Sequence, residues 1–187
     1  MLRTVVVLGA GPLAAWIADW FQRSQEYRLV CVVPSPDRPG ETRKLRDIAN
    51  RDAIPFVESG SWADIPALEA GSGKLGMVFS VAYGQVLPER FLAACDRPLN
   101  LHNSALPQYR GRQPVYRALL NNEKSHGVTI HEMTSDVDCG PIVSQLTYSL
   151  YPEFDTPETV AIRALHFGWC LFEHTMPLID RIVPRPQ

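Results

Sequence analysis

Thr4-Val-Val-Val-Leu8 is an unbroken apolar run that ends in Gly9-Ala-Gly-Pro12, and no other feature restricts the fold of this chain as strongly. A strand that is apolar at consecutive positions, rather than at alternate ones, has to be covered on both faces. Two glycines and a proline then turn the chain at once into a helix whose Leu13, Ile17, Trp20 and Phe21 form one stripe. The same pattern recurs. Arg28–Val33 is a second strand, followed by the stiff loop Pro34-Ser-Pro-Asp-Arg-Pro-Gly40 and a polar helix around Thr42 to Arg51. A short strand is expected at Ile54–Val57, and a short helix plus loop over Ser59–Lys74. Gly76–Val81 is a further buried strand, Leu87–Ala94 a helix, and Asp96–Leu101 a strand; Gln113–Asn121 is helical, and Val128–Met133 and Ile142–Leu150 are strands. Asp155-Thr-Pro-Glu158 caps a final helix with proline in its first turn. That helix carries Val160, Ala164, Gly168, Leu171, Thr175, Leu178 and Ile182 near one face, with a kink expected at Pro177. Alternating strands and helices predict an α/β fold, three-layered and Rossmann-like, on a mostly parallel twisted sheet, with residues 1–187 forming a single domain.

Composition narrows the partners. At 187 residues the chain can bury a full core, and 45% hydrophobic with 20% charged residues is ordinary for a globular protein. A net charge of −2 gives no global attraction to nucleic acid or to an anionic membrane, so neither is expected as a partner. No window approaches a membrane-spanning length of apolar residues. The start runs straight into a strand instead of a leader, so a cytoplasmic location is expected. Cys31, Cys95, Cys139 and Cys170 are widely spaced, without zinc spacing, which points to free thiols and no metal.

The glycine turn Gly9-x-Gly11-x-x-Ala14 matches a loose dinucleotide fingerprint. The acid that would hold a ribose is missing, because Val33 is followed by Pro34, Ser35 and Pro36, and Asp37 lies beyond that rigid turn. A nicotinamide oxidoreductase is therefore the weaker reading. The first task of Gly9 and Gly11 is the tight turn; contact with a phosphate of some substrate is the second.

Chemistry concentrates later. Asn100 and His102 stand two residues apart at the end of an apolar strand, and Asp138 precedes another. An amide donor, a titratable ring and a carboxylate are the parts needed to stabilise an oxyanion and move a proton. They point to an enzyme of acyl transfer. Cys139 beside Asp138 reads as a small packing residue, and His126 and His131 as structural histidines.

The wording around these residues is specific: Asn100-Leu-His-Asn-Ser-Ala-Leu-Pro-Gln-Tyr-Arg-Gly111, then His126-Gly-Val-Thr-Ile-His131, then Asp138-Cys-Gly-Pro-Ile142. It resembles the folate-dependent formyltransferase family, which includes methionyl-tRNA, glycinamide ribonucleotide and sugar-nucleotide N-formyltransferases. The resemblance implies that Asn100, His102 and Asp138 are the catalytic trio and 10-formyltetrahydrofolate the cosubstrate. Val81-Ala-Tyr-Gly-Gln-Val-Leu87 is similar to the segment whose backbone holds the pterin, which puts Tyr83, Gln85, Val86 and Leu87 on the folate side. Ser104, Leu106, Pro107 and Asp136 are expected there too. Ala105 departs from the more usual leucine without touching the trio.

The acceptor is read from wording and length. Tyr109-Arg-Gly-Arg112 is closest to the sugar-nucleotide branch, so the expected acceptor is an amino-sugar nucleotide, with Gly9, Gly11, Tyr109, Arg110 and Arg112 on its side. Glycinamide ribonucleotide, another small amine, or water (a formyltetrahydrofolate hydrolase) are the alternatives. Methionyl-tRNA is disfavoured because that branch carries a tRNA-engaging C-terminal domain, while the chain here ends at Gln187. A homodimer stays open.

Overall fold

The computed structural model describes residues 2–66 and 74–187. Six strands hydrogen-bond in the order β2-β1-β3-β4-β5-β6, with β1 Arg3–Gly9, β2 Tyr27–Pro34, β3 Leu75–Val81, β4 Cys95–His102, β5 Ser125–Glu132 and β6 Ile142–Ser149. The helices are α1 Gly11–Arg23, α2 Arg43–Arg51, α3 Glu89–Leu92, α4 Pro114–Leu120 and α5 Pro157–Thr175, with 3-10 turns at Pro39–Glu41, Trp62–Asp64 and Met176–Leu178. The expected Rossmann-like α/β architecture on a mostly parallel sheet is the one observed. Among the described residues no helix is long and apolar enough to cross a membrane. Two compact units, Met1–Leu99 and Asn100–Gln187, divide the chain within β4.

In the first unit β1 pairs parallel with both β2 and β3, so Val5 to Leu8 are fully covered, as their apolar continuity requires. Phe21 of α1 meets Phe79 of β3 at 6.1 Å and Tyr27 of β2 at 5.2 Å, closing the core over one face; Trp20 is only half-buried. Because β1 has β2 on one side and β3 on the other, its carboxyl end is the point where strand order reverses, the usual location of a crevice in such sheets. Gly9 sits there by necessity: a Cβ would stand 1.9 Å from the Val81 carbonyl oxygen. Its own carbonyl accepts from the Ser35 amide at 2.8 Å, and the Ala10 amide donates to Val81 O at 3.2 Å, so the turn is stitched to both neighbours.

The second unit is built on the antiparallel pair β5–β6, against which α5 packs. The register shifts between Ile130 and His131, whose partners are Ser144 and Ile142, so the extra residue of this bulge is Val143 on β6. Thr156 caps α5 with a reciprocal Thr156–Thr159 box, and Asp155 receives Arg163 Nη2 at 2.8 Å.

Some local expectations change. Ile54–Val57 forms a single bridge, Val32 to Phe56, in place of a strand, since only one residue reaches β2 in register. The helix expected over Leu87–Ala94 shrinks to Glu89–Leu92, because Pro88 starts it and the chain must re-enter the sheet at Cys95. Pro177 ends α5 at Thr175 instead of kinking it, so Leu178 and Ile182 lie outside the helix, Leu178 half exposed. The part of the Ser59–Lys74 expectation that falls on 67–73 lies outside the described residues.

Candidate active site

β4 delivers Asn100 and His102 from one face, since side chains two apart on a strand point the same way. Asp138 arrives on the loop between β5 and β6 with φ 54°, left-handed backbone that a non-glycine residue adopts only when its surroundings demand it. Two residues on, Gly140 is obligatory, for a Cβ there would meet Glu132 O at 1.9 Å.

The expected trio converges. Asn100 Nδ2 lies 3.4 Å from Asp138 Oδ1, and His102 Nδ1 lies 3.4 Å from Asp138 Oδ2. The Gly111 amide donates to that same Oδ2 at 2.9 Å. His102 Nε2 is 3.1 Å from the Tyr109 carbonyl, which can only accept, so the ring proton sits on Nε2 and Nδ1 turns a lone pair toward the carboxylate. Tyr109 holds this carbonyl in place through its own left-handed φ of 58° and through its hydroxyl, which donates to Glu123 Oε1 at 2.6 Å.

A fourth side chain belongs to the group. His131, read from sequence as structural, is buried; its Nδ1 donates to Glu132 O at 2.8 Å, and its Nε2 accepts the Asn100 amide at 3.0 Å while standing 3.4 Å from Asp138 Oδ1. Period-two alternation along β5 puts His131 on the same face as Thr129. Which face of β5 meets Asn100 is not written in the strand itself. His126 keeps its structural place, its Nε2 donating to Asn103 O at 2.8 Å.

Electrostatics separate the two ionisable partners. Burial pushes the His102 imidazole below its ordinary value, and neither Asp138 nor the Tyr109 carbonyl restores it. The ring is therefore neutral at pH 7. Burial works the other way on Asp138, but the carboxyl is held below the usual range, with the Gly111 amide donating to it directly. A neutral imidazole with an open Nδ1 thus faces a carboxylate kept ionised, a pair able to take up a proton.

The other expected residues divide. Ser104 is fully buried and its hydroxyl donates to Gln108 O at 2.6 Å; Leu106 is buried too, its amide donating to Thr129 Oγ1 at 3.2 Å and its carbonyl accepting from Gln145 Nε2 at 2.8 Å. These two shape the turn from within, leaving Pro107 and Asp136 exposed. In the first unit the Tyr83 hydroxyl lies 2.7 Å from Gly60 O and 2.9 Å from Gln85 Oε1 and accepts from the Trp62 amide, so Tyr83 and Gln85 brace their own loop. Val86 is 66% exposed beside the buried Leu87. Gly11 has φ 82°, and the Glu41 carboxylate stands 3.2 Å from where its Cβ would be, a poor neighbour for a phosphate. Arg110 gives its Nε and Nη2 to Gln187 Oε1 at 3.1 and 2.8 Å, and Arg112 is exposed. The Cys139 thiol donates to Val137 O at 3.3 Å. Among the described residues no cluster of three or more His, Cys, Asp or Glu is arranged for a metal ion.

A family model described as formyl transferase matches residues 3–174. This chain belongs to the formyl transferase family. Methionyl-tRNA formyltransferase of Streptococcus thermophilus is 30% identical over 198 residues, covering 100% of this chain and 62% of the relative. That of Streptococcus agalactiae is 31% identical over 196 residues with the same coverage, so the chain spans about 62% of the length of these relatives. Among solved structures, WlaRD, a sugar 3N-formyl transferase in the presence of dTDP and 5-N-formyl-THF, superposes with a TM-score of 0.81 at 24% identity, over 100% of this chain and 66% of that one. Phosphoribosylglycinamide formyltransferase from Bacillus halodurans gives 0.76 at 22% identity, over 92% and 93%. At those identities the superpositions establish the shared fold.

Proposed function

We propose that this formyl transferase family member moves the formyl group of 10-formyltetrahydrofolate to a primary amine. The observation that carries the reading is the meeting of Asn100, His102 and Asp138 within 3.4 Å, with the carboxylate kept ionised and the ring neutral. The neutral amine nitrogen attacks the formyl carbon and the carbonyl oxygen becomes an oxyanion. Asn100 Nδ2 has two hydrogens. One is committed to His131 at 3.0 Å; the other, held loosely by Asp138 at 3.4 Å, is the one given to that oxygen. Attack acidifies the amine nitrogen, and the His102 Nδ1–Asp138 pair takes its proton. The C–N10 bond breaks as N10 receives a proton, and the products are the formamide and tetrahydrofolate.

The acceptor reading is an amino-sugar nucleotide. The Tyr109-Arg-Gly-Arg112 wording and the exposed Arg112 support it, a guanidinium being suited to bidentate phosphate contact. Glu41 at the β1–α1 turn speaks against glycinamide ribonucleotide there. Methionyl-tRNA is the second reading, favoured by curated relatives at 30–31% identity. The test is a panel of 3-amino and 4-amino sugar nucleotides, glycinamide ribonucleotide and methionyl-tRNA with 10-formyltetrahydrofolate, comparing kcat/KM by product mass. Preference for an amino-sugar nucleotide by tenfold or more supports the first reading; preference for methionyl-tRNA replaces it with the second.

A further inference from the structure

Gln187 carries no signal in the sequence, yet its side chain reaches the loop that bears Asp138. Backbone pairing of Arg185 with Ile142, at 2.7 and 2.9 Å, lays the preceding residues along the start of β6 and brings Gln187 to this place. Its Nε2 donates to Asp138 O at 3.0 Å and to Gly140 O at 2.6 Å, which uses both amide hydrogens. Its Oε1 accepts Nε and Nη2 of Arg110 at 3.1 and 2.8 Å, and the next residue, Gly111, donates its amide to Asp138 Oδ2 at 2.9 Å. The contacts close a ring: Asp138 carboxylate, Gly111, Arg110, Gln187, Asp138 carbonyl.

We propose that Gln187 is a positioning residue for the formyl transfer, fastening the Asp138 loop to the Arg110–Gly111 turn so that the carboxylate faces His102 at working distance. The proposal rests on the formyl-transfer reading. It gives the left-handed backbone at Asp138 the over-determination such a conformation requires. It also reassigns Arg110. The Nε–Nη2 edge that would grip an acceptor phosphate is turned to Gln187, which makes Arg110 a strut.

Groups facing the Asp138 carboxylate are the Asn100 amide and His102 of β4, His131 of β5 and the Gly111 amide, with Arg110 tethered behind that amide. Releasing the clamp withdraws the Gly111 donor, so the carboxyl protonates more easily and its titration moves to higher pH. The variants are Gln187→Ala and Gln187→Glu. Glutamate still accepts from Arg110 but cannot donate to the two loop carbonyls. Arg163→Gln, which removes the ion pair with Asp155 away from the site, controls for general destabilisation. Both Gln187 variants are expected to lose kcat by about tenfold or more with the folate KM within about twofold, and Glu is expected to be no better than Ala. The acid limb of kcat/KM moves up in both and stays in place in Arg163→Gln. Carbon-13 NMR of Asp-labelled protein, with the Asp138 signal assigned through Asp138→Asn, follows the same carboxyl without turnover. An Asp138 titration in Gln187→Ala that superimposes on the parent overturns the proposal, as does a kcat loss no larger than that of the control. If the parent formylates no amine at all, the functional reading fails, and the NMR titration alone decides the clamp.

Discussion

Replacing Asp138 by asparagine separates charge from shape at the centre of this site. Asparagine keeps an oxygen for the Gly111 amide, so the loop has no reason to move. What disappears is the negative charge 3.4 Å from His102 Nδ1. In the resting protein that ring is neutral, and the loss touches stability through the Gly111 bond, whose acceptor changes from charged to uncharged, and through the looser 3.4 Å contact from Asn100 Nδ2. Such a change is worth about 1 kcal/mol, or about 2–4 °C in Tm for a chain of this size. In the transition state the imidazole carries the amine's proton. The missing carboxylate then withdraws an attraction of about 5 kcal/mol at an effective dielectric of 20. At about 1.4 kcal/mol per decade this is a rate loss between about 10³ and 10⁴, inside the range of about 10²–10⁴ ordinary for acid–base groups. Single-turnover formyl transfer followed by mass, beside differential scanning calorimetry, reads both quantities. A kcat within tenfold of the parent would refute the proton-accepting role, and a Tm collapse beyond about 10 °C would show that the carboxylate serves the fold instead.

Three further outcomes are expected. Asn100→Ala should lower kcat by about 10²–10³ with folate binding retained in calorimetry, and lost binding at unchanged kcat would contradict its oxyanion role. His131→Ala should cost about tenfold in kcat by freeing the Asn100 amide, with His131→Gln partly restoring it because its oxygen can accept that amide; equal loss in both would point to packing alone. His102 and His126 are both held below the ordinary 6.5, so the unfolded chain binds more protons than the folded one between that value and the folded ones. Stability should therefore be intact above about pH 7 and fall as the pH drops below 6.5, each histidine contributing a slope of up to about 1.4 kcal/mol per pH unit. Urea titrations that give a flat stability from pH 7 to 5, or an unchanged slope in His126→Gln, would contradict this.

The sequence carried the fold in its apolar continuity: consecutive Val5 to Leu8 could only be a strand covered on both sides, and Gly9 could only be the residue that turns against Val81. Asn100 and His102 were legible because strand periodicity forces them to one face. Asp138 was legible as a carboxylate ahead of a strand, within the Asp138-Cys-Gly-Pro-Ile142 wording. His131 was read as structural because the face of β5 that meets Asn100 is set by pairing across the sheet, which the strand alone does not show. Gln187 was invisible for a related reason, since its contacts depend on the backbone pairing of Arg185 with Ile142, forty-three residues away. Arg110 resembled an acceptor ligand until its partner appeared. Pro177 was recognised as a disruption, but whether proline bends or ends a helix depends on what packs beyond it.

The most direct test follows the transferred carbon. With 10-formyltetrahydrofolate labelled at the formyl carbon and an amino-sugar nucleotide as acceptor, carbon-13 NMR should show the label leaving the folate and entering an N-formyl amide. One tetrahydrofolate should form per amide, and the transfer should slow by about 10²–10³ in Asn100→Ala. Label that remains on the folate with every primary amine offered, or that emerges as free formate, would contradict formyl transfer to an amine.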